Sequence, residues 1–491
     1  MVWDFFWVFL PKKSSAMLIR SIIVFLLAST FVNAQNLTVS ENDRYLVSED
    51  GKPFVWLGDT AWELFHKLDR EEARHYLETR KEQGFTVIQA VILAENDGLR
   101  TPNSYGDVPF HDLDPTKPNE AYFKHVDYIV SLANELGLIM GLLPTWGDKL
   151  YSDHPAAGPI VFNPKNAEKY GRFLGRRYRE NRIVWILGGD RTIANNEALD
   201  TWRSMAKGIK KGDGGEHLMT FHPRGGHSSS YWLHNEEWLD FNMFQSGHEK
   251  HFTPVYNFVK TDYLKSPVKP VVDGEPAYES IPVAFWEYCD FSTPKRVPDE
   301  ALDEEGIIKD RSFFEKGFFT DYDMRTHAYW NFLSGACGYT YGNNAAWQMF
   351  KKGGNIAIPC LDDWRGSLQH TGANHIRYVS QLFNHYLISG IVPDQSIVYG
   401  VNWEGENHIR SAKSDDSSWM LIYLAKGQKV DVVMKKLSEK KAWAYWYNPR
   451  NGTYTSAGHF INAQIEQFTP PSSGTGNDWL LIIDTMEKRF E

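Results

Sequence analysis

The sequence predicts an α/β fold: a (β/α)8 TIM barrel followed by a C-terminal all-β sandwich. Three observations carry that expectation. Eight short apolar runs alternate with amphipathic helical segments between residues 54 and 341. Every run ends in polar or aromatic residues. Past residue 390 the helical periodicity gives way to short alternating strands and Gly- and Asn-rich turns.

The first element is an address. From Met17 the chain reads "MLIRSIIVFLLASTFVNAQ", with Arg20 as a positive start, residues 22–31 as an apolar core, and Val32-Asn33-Ala34 as a compact cleavage site. A signal peptide over 1–34 is expected, with Met17 as an alternative start. The apolar run is shorter than the ~20 residues of a typical span, so stable membrane insertion is not expected. The reading implies an exported protein, periplasmic, on the cell surface or secreted.

Residues 35–390 are expected to hold the barrel. A short lead-in carries a hairpin turn at Asp50-Gly51. The apolar runs span 54–58, 86–93, 138–144, 183–188, 218–221, 241–245, 270–273 and 337–341, and the helical segments include 70–83, 121–136, 167–180, 199–211 and 323–334. Buried runs alternating with helices imply parallel β/α units. The rival, a doubly wound open sheet, loses ground because no Gly-rich phosphate fingerprint follows the first run. The longest insertion, about 276–320, follows the seventh strand and is placed to wall a cleft. Residues 391–491, with strands such as "WMLIYLA" and "KAWAYWYNP", form the sandwich.

Barrel enzymes carry their chemistry where strands end. Asp59 and Trp62 close the first strand, Gln89 lies in the second, and Trp146 follows the third. Asp190 follows the fourth in "WILGGD", His222 the fifth, and Gln245 closes the sixth. Glu275 follows the seventh in "VVDGEPAYE", and Asn343 and Trp347 follow the eighth. Carboxylates, amides, His and Trp on one face suit a sugar better than a phosphate, which wants backbone amides and Lys or Arg.

Strands four and seven lie across the mouth from one another. Glycosidic cleavage needs one carboxyl to protonate the leaving oxygen and a second to attack or to activate water. Asp190 and Glu275 are therefore the candidate catalytic pair. Asp59, Trp62, Gln89, Trp146, His222, Gln245, Asn343 and Trp347 are candidate substrate contacts. Other readings stand beside these: Asp190 as a helix cap or a partner of Arg191, Glu275 as half of an ion pair, and Asp59 as an N-cap.

Composition narrows the rest. A net charge of −10 with no basic stripe argues against a nucleic-acid partner. Three cysteines exclude a disulfide-dense scaffold, and their spacing matches no zinc pattern. His222 and His227 in "HPRGGH" lack a nearby third ligand, so neither a metal nor another cofactor is expected.

Several stretches carry a resemblance. "GKPFVWLGDTAWELF", "GFTVIQAVIL", "WILGGD", "DGEPAYE" and "HAYWNFLSGACGYTYGNNAAWQM" resemble the apiosidase-like glycoside hydrolases of bacterial pectin degraders. "WAYWYNPRNGTY" and "FTPPSSGTGNDWLLIID" resemble the sandwich of that family, which is classed as collagen-binding. The resemblance covers roughly residues 36–490. It implies a barrel plus sandwich, catalytic roles for Asp190 and Glu275, and release of apiose from the pectin rhamnogalacturonan II. By analogy with other strand-four and strand-seven pairs it implies retention, with Glu275 as nucleophile and Asp190 as acid/base. Related barrels usually carry Asn-Glu where this chain has Gly189-Asp190. Two alternatives remain open. One is an endo-acting β-glycanase. The other is a polysaccharide- or collagen-binding module, which would need Trp443, Tyr445 and Tyr447 as an exposed strip; against it, the absence of a long linker implies that the sandwich packs on the barrel, with these aromatics in an interdomain or sandwich core.

Overall fold

A computed structural model describes residues 36–151, 158–293, 295–387, 390–461 and 464–490. The signal peptide expected over 1–34 lies outside them. Eight parallel strands surround the core: β1 (Trp56–Thr60), β2 (Val87–Val91), β3 (Ile139–Leu143), β4 (Ile183–Gly188), β5 (Met219–His222), β6 (Asn242–Gln245), β7 (Val271–Asp273) and β8 (Gly338–Tyr341). Each is buried on both faces, which is why they read as continuous apolar runs.

Hydrogen-bonded ladders join β5 through β4, β3, β2, β1, β8 and β7 to β6. Between β5 and β6 the closure is different. The Asp240 N–H donates to the Met219 carbonyl at 2.8 Å, the Asp240 carboxylate accepts from the Met219 N–H at 2.7 Å, and Thr220 Oγ1 donates to the Phe241 carbonyl at 2.7 Å. A two-residue strand, His227–Ser228, instead pairs antiparallel with β6.

The helices that wrap the barrel are α1 (Arg70–Glu82), α2 (Glu120–Glu135), α3 (Pro164–Arg177), α4 (Asn196–Asp213), α5 (Val255–Tyr263), α6 (Asp321–Phe332) and α7 (Thr371–Tyr386). Their starts are written locally. Asp69 with Glu72 and Asn163 with Asn166 form capping boxes, and Pro164 sits in the first turn of α3. Helices α3 and α4 meet backbone to backbone. A Cβ on Gly171 or Gly175 would lie 2.4 Å from a carbonyl oxygen of α4, and one on Gly208 would lie 2.2 Å from a carbonyl of α3. The spacings "GRFLG" and "GIKKG" place these small residues along one seam.

The sandwich is made of β9 (Ile391–Pro393), β10 (Val398–Tyr399), β11 (Ile409–Ser414), β12 (Trp419–Leu424), β13 (Val430–Val433), β14 (Lys441–Asn448), β15 (Thr453–Ile461), β16 (Ile465–Phe468) and β17 (Trp479–Asp484). All pair antiparallel, in a six-stranded sheet ordered β9-β11-β12-β17-β14-β15 and a three-stranded sheet ordered β10-β13-β16. Met420, Ile422 and Leu424 face the smaller sheet, while Trp419, Leu421 and Tyr423 join the core of the barrel side. The larger sheet is thus covered twice. Arg325 of α6 grips Asp478 through Nε at 3.0 Å and Nη2 at 2.9 Å, and Tyr423 Oη donates to the same carboxylate at 2.9 Å.

This packing agrees with an interdomain core for these aromatics and leaves no exposed strip. Tyr445 and Tyr447 are buried, Tyr447 Oη donating to the Tyr378 carbonyl of α7 at 2.9 Å, and Trp443 is half-buried. All three thiols, Cys289, Cys337 and Cys360, are free and buried. No helix among the described residues is long and apolar enough to cross a membrane.

Candidate active site

The mouth is built first by backbone. At the end of β4 the chain passes through three left-handed residues, Gly188, Gly189 and Asp190, with φ of 94°, 116° and 42°. A Cβ on Gly188 would stand 2.2 Å from the His222 carbonyl oxygen, and one on Gly189 would stand 2.7 Å from the Trp146 ring. Only glycine fits both places, and aspartate accepts the left-handed region better than most residues. The turn thereby sets Asp190 against β5 and beside the indole of Trp146.

Glu275, 6% exposed, lies one residue beyond Gly274 at the end of β7. Tyr278 Oη donates to its Oε1 at 2.6 Å, and Trp62 Nε1 in turn donates to Tyr278 Oη at 2.8 Å. His222 Nε2 stands 2.9 Å from Oε2, and His248 Nε2 stands 3.5 Å from Oε1. Burial pushes the Glu275 carboxyl up, but its contacts with His222 and His248 outweigh that and hold it at about 2.

Asp190 has the opposite setting. Its side chain is 38% exposed, its carboxylate accepts from the Gly225 N–H at 3.2 Å, and Arg191 Nη1 stands 3.5 Å from Oδ2. Desolvation at the cleft wall, then the charge of Glu275, raise its carboxyl above the ordinary value against Arg191 and His222. His222 links the two acids. Its Nδ1 accepts from the Asp190 N–H at 3.4 Å, and its Nε2 approaches Glu275 Oε2 at 2.9 Å.

A cavity of roughly 1170 Å3 opens at this end of the barrel. Its wall includes Asp190, Arg191, Trp347, Glu95, Asp148 and Arg224, with Phe285, Phe291 and Arg296 from the long insertion after β7. Residues 349–358, after β8, close another side. The insertion keeps its own small core around Cys289, Val297, Leu302, Ile308 and Phe314.

The remaining sequence candidates divide by where their side chains point. Trp62 and Trp146 pack on one another at 5.3 Å between ring centroids and on His222 at 5.5 and 5.8 Å, beside the two acids. Trp347 lines the cavity 6.4 Å from the Tyr278 ring. Gln89 is fully buried inside the barrel, where Nε2 donates to the Gly274 carbonyl at 2.8 Å and holds the end of β7. Gln245 is buried beneath the Gly225 turn.

Two candidates do not reach the mouth. Asp59 is fully buried outside the barrel wall, paired with Arg80 Nε at 2.6 Å and bonded to Tyr76 Oη, both of α1. Asn343 is a helix cap, its Oδ1 accepting from the Ala345 and Ala346 N–H groups at 3.0 and 3.3 Å, while Nδ2 contacts His370 at 3.0 Å. Sequence reasoning passed over Tyr278, and it placed His248 and Glu95 at strand ends without giving them a role. For Tyr278 the available signal was its place three residues past Glu275. For His248 and Glu95 it was their places just past the sixth and second strands.

Among the described residues no group of three His, Cys, Asp or Glu side chains is disposed to hold a metal ion. The family described as "Apiosidase-like, catalytic domain" matches residues 40–389, and that described as "Putative collagen-binding domain of a collagenase" matches 392–484. A solved glycoside hydrolase shares 32% identity over 93% of this chain and 98% of its own, with a TM-score of 0.80. A glycoside hydrolase family 5 structure from Bacteroides vulgatus ATCC 8482 shares 30% over 93% and 95%, with a TM-score of 0.79. None of the curated proteins compared matches the chain.

Proposed function

The chain belongs to the apiosidase-like glycoside hydrolases, and from that premise we propose that it releases terminal apiose from rhamnogalacturonan II side chains of pectin, outside the cytoplasm. The reaction runs on two carboxyl groups. Glu275 attacks the anomeric carbon as its ionised form. Asp190 gives its proton to the departing glycosidic oxygen as that bond breaks. A water then enters, loses a proton to Asp190, and displaces Glu275 to give the free sugar with its configuration retained.

One observation carries the role assignment: the two carboxyls at one mouth are pushed in opposite directions, Glu275 down to about 2 and Asp190 up. Environments that separate two acids in this way assign the base form to one and the acid form to the other. Trp347, which lines the cavity, offers an aromatic face to a sugar, with the buried, mutually tilted indoles of Trp62 and Trp146 packed behind the two acids. At roughly 1170 Å3 the cavity also has room for sugars flanking the one released. The expectation of export rests on the leader over 1–34 and on a polymeric wall substrate.

The test is digestion of intact and trimmed rhamnogalacturonan II, with released monosaccharides read by chromatography. Apiose is expected from the wild type. Asp190→Asn and Glu275→Gln are expected to lose release by about 10²–10⁴-fold or more while keeping the native circular dichroism. Near-normal turnover in either variant would sink the pair, and release of another sugar would sink the substrate. NMR of the first anomer formed decides retention.

A further inference from the structure

The turn that holds Asp190 continues outward into an aromatic cluster that the two-carboxylate chemistry does not use. Gly225 donates its N–H to Asp190 Oδ1 at 3.2 Å, and its carbonyl oxygen meets His227 Nδ1 at 3.0 Å. The His227 ring stacks on Trp232, with centroids 5.4 Å apart and planes 20° apart. Tyr231 meets both rings at steep angles, 5.9 Å from His227 and 4.9 Å from Trp232. Trp232 is half-buried and packs against the same buried cluster as Ile193, from the loop that follows Asp190. Tyr231 is 74% exposed, the most exposed large hydrophobic side chain among the described residues. Its loop is nonetheless tied down. Ser228 Oγ donates to Asp262 Oδ2 of α5 at 2.5 Å, Ser230 Oγ donates to Oδ1 of the same carboxylate, and the Ser229 N–H donates to the Met243 carbonyl of β6 at 2.8 Å.

We propose that Tyr231, with His227 and Trp232 behind it, is an outer subsite that binds a flanking sugar of the leaving group. The inference deepens the function proposed above and rests on it. Asp190 gives its proton to the glycosidic oxygen, so the leaving saccharide begins beside Asp190 and leaves the mouth on that side. The wall there is the loop after β5: Arg224 lines the cavity, and Tyr231 lies farther along the same loop. An aromatic ring offers a flat apolar face to the C–H face of a sugar. A lone surface tyrosine needs no explanation, but this one is held in a three-ring cluster at the rim of the mouth. Because the loop is tied to Asp262 and Met243, the ring is already in place, and binding orders little that was loose. The size of the surface points to the occupant. Between residues 223 and 233 only Arg224, Gly226 and Tyr231 are exposed. One ring, one guanidinium and one glycine are too small an apolar area for a protein partner, but they match a single sugar with its hydroxyls.

The test is a binding measurement on the full chain carrying Glu275→Gln, which holds the polymer without cutting it. Its affinity for soluble rhamnogalacturonan II is read by isothermal titration calorimetry with and without Tyr231→Ala. Loss of the ring is expected to weaken binding by about threefold to tenfold. Tyr231→Phe keeps the ring and is expected to restore most of that affinity. Equal affinity with alanine overturns the proposal, and so does phenylalanine as weak as alanine, or no binding by the Glu275→Gln chain at all. Turnover gives a second readout. In the otherwise wild-type enzyme the effect of Tyr231→Ala is expected to fall on KM for the polysaccharide rather than on kcat, and a loss confined to kcat overturns the subsite. Sugars released by the wild type are read in parallel. Release of a sugar other than apiose sinks the substrate reading by itself, whatever Tyr231→Ala does to binding.

Discussion

Two residues beside the catalytic pair have effects that can be signed. Tyr278 donates to Glu275 from 2.6 Å, a bond to the ionised form. Tyr278→Phe removes it, so the Glu275 carboxyl rises and the acid limb of the pH–rate profile moves to higher pH. A hydrogen bond to a charged group contributes about 1.5–3 kcal/mol, so sugar release is expected to fall about tenfold or more. Asp273, beneath the site, accepts from Ser246 Oγ at 2.9 Å and Asn331 Nδ2 at 3.0 Å. Burial outweighs these bonds and pushes its carboxyl up to about 7 from 3.8. A raised acid binds its proton more tightly when folded. Its contribution to stability is therefore fully present below 3.8 and is lost as pH rises through about 7. Asp273→Asn is expected to flatten that slope, by up to about 4 kcal/mol at about 1.36 kcal/mol per unit. Denaturant unfolding at acid and at alkaline pH measures it, and an unchanged slope would refute it.

At this scale the sequence was legible in part. Asp190, Glu275, His222, Trp62, Trp146 and Trp347 stand together because each lies at or just past the end of a strand. Asp59 does too, yet it points the other way. In a parallel barrel both faces of a strand are buried, so the period of two residues does not say which face looks inward. Gln89 on β2 turns into the barrel towards Gly274, whereas Asp59 on β1 turns out towards Arg80. Asn343 was ambiguous for a different reason: an amide before a short helix serves as a cap as readily as a ligand contact.

Among elements, the seam between α3 and α4 is the tightest helix contact, and it bears on the site. These helices follow β3 and β4, whose ends carry Trp146 and Asp190. Gly175→Ala would place a Cβ 2.4 Å from the Ile209 carbonyl oxygen. The helices must then part, at a cost of about 1–3 kcal/mol typical of overpacking, which thermal unfolding would show as a lower Tm. An unchanged Tm would mean that the seam gives way freely. The barrel strands were readable because each is an uninterrupted apolar run between turn residues. The sandwich strands were readable as strands, and the absence of a long linker pointed to packing on the barrel; which helices supply that cover was not readable, because α6 and α7 lie far away in sequence.

For the molecule as a whole, that double cover makes the sandwich part of the enzyme's fold. Trp419, Leu421, Tyr423, Tyr445, Tyr447, Leu480 and Ile482 belong to the same core as Tyr329, Phe332 and Phe383 of α6 and α7. Residues 390–491 expressed alone would present this apolar face to water, far beyond what a soluble domain tolerates. Light scattering is expected to show aggregation. A stable monomer would show instead that the face is dispensable, and would restore the sandwich as an independent module.

The gap between β5 and β6 gives the barrel a further property. Mechanically it is a split ring, laddered round seven junctions and tied across the eighth by Asp240 and Thr220. Asp190 belongs to the arc on one side of the split and Glu275 to the arc on the other. Going the long way round, they are joined by stiff ladder. Across the split they are joined by one backbone bond, a few side-chain ties and His222, which touches both. The spacing of the two acids across the split is thus set by fewer bonds than their spacing round the ladder. The His222 ring fills the space between the jaws, in contact with both.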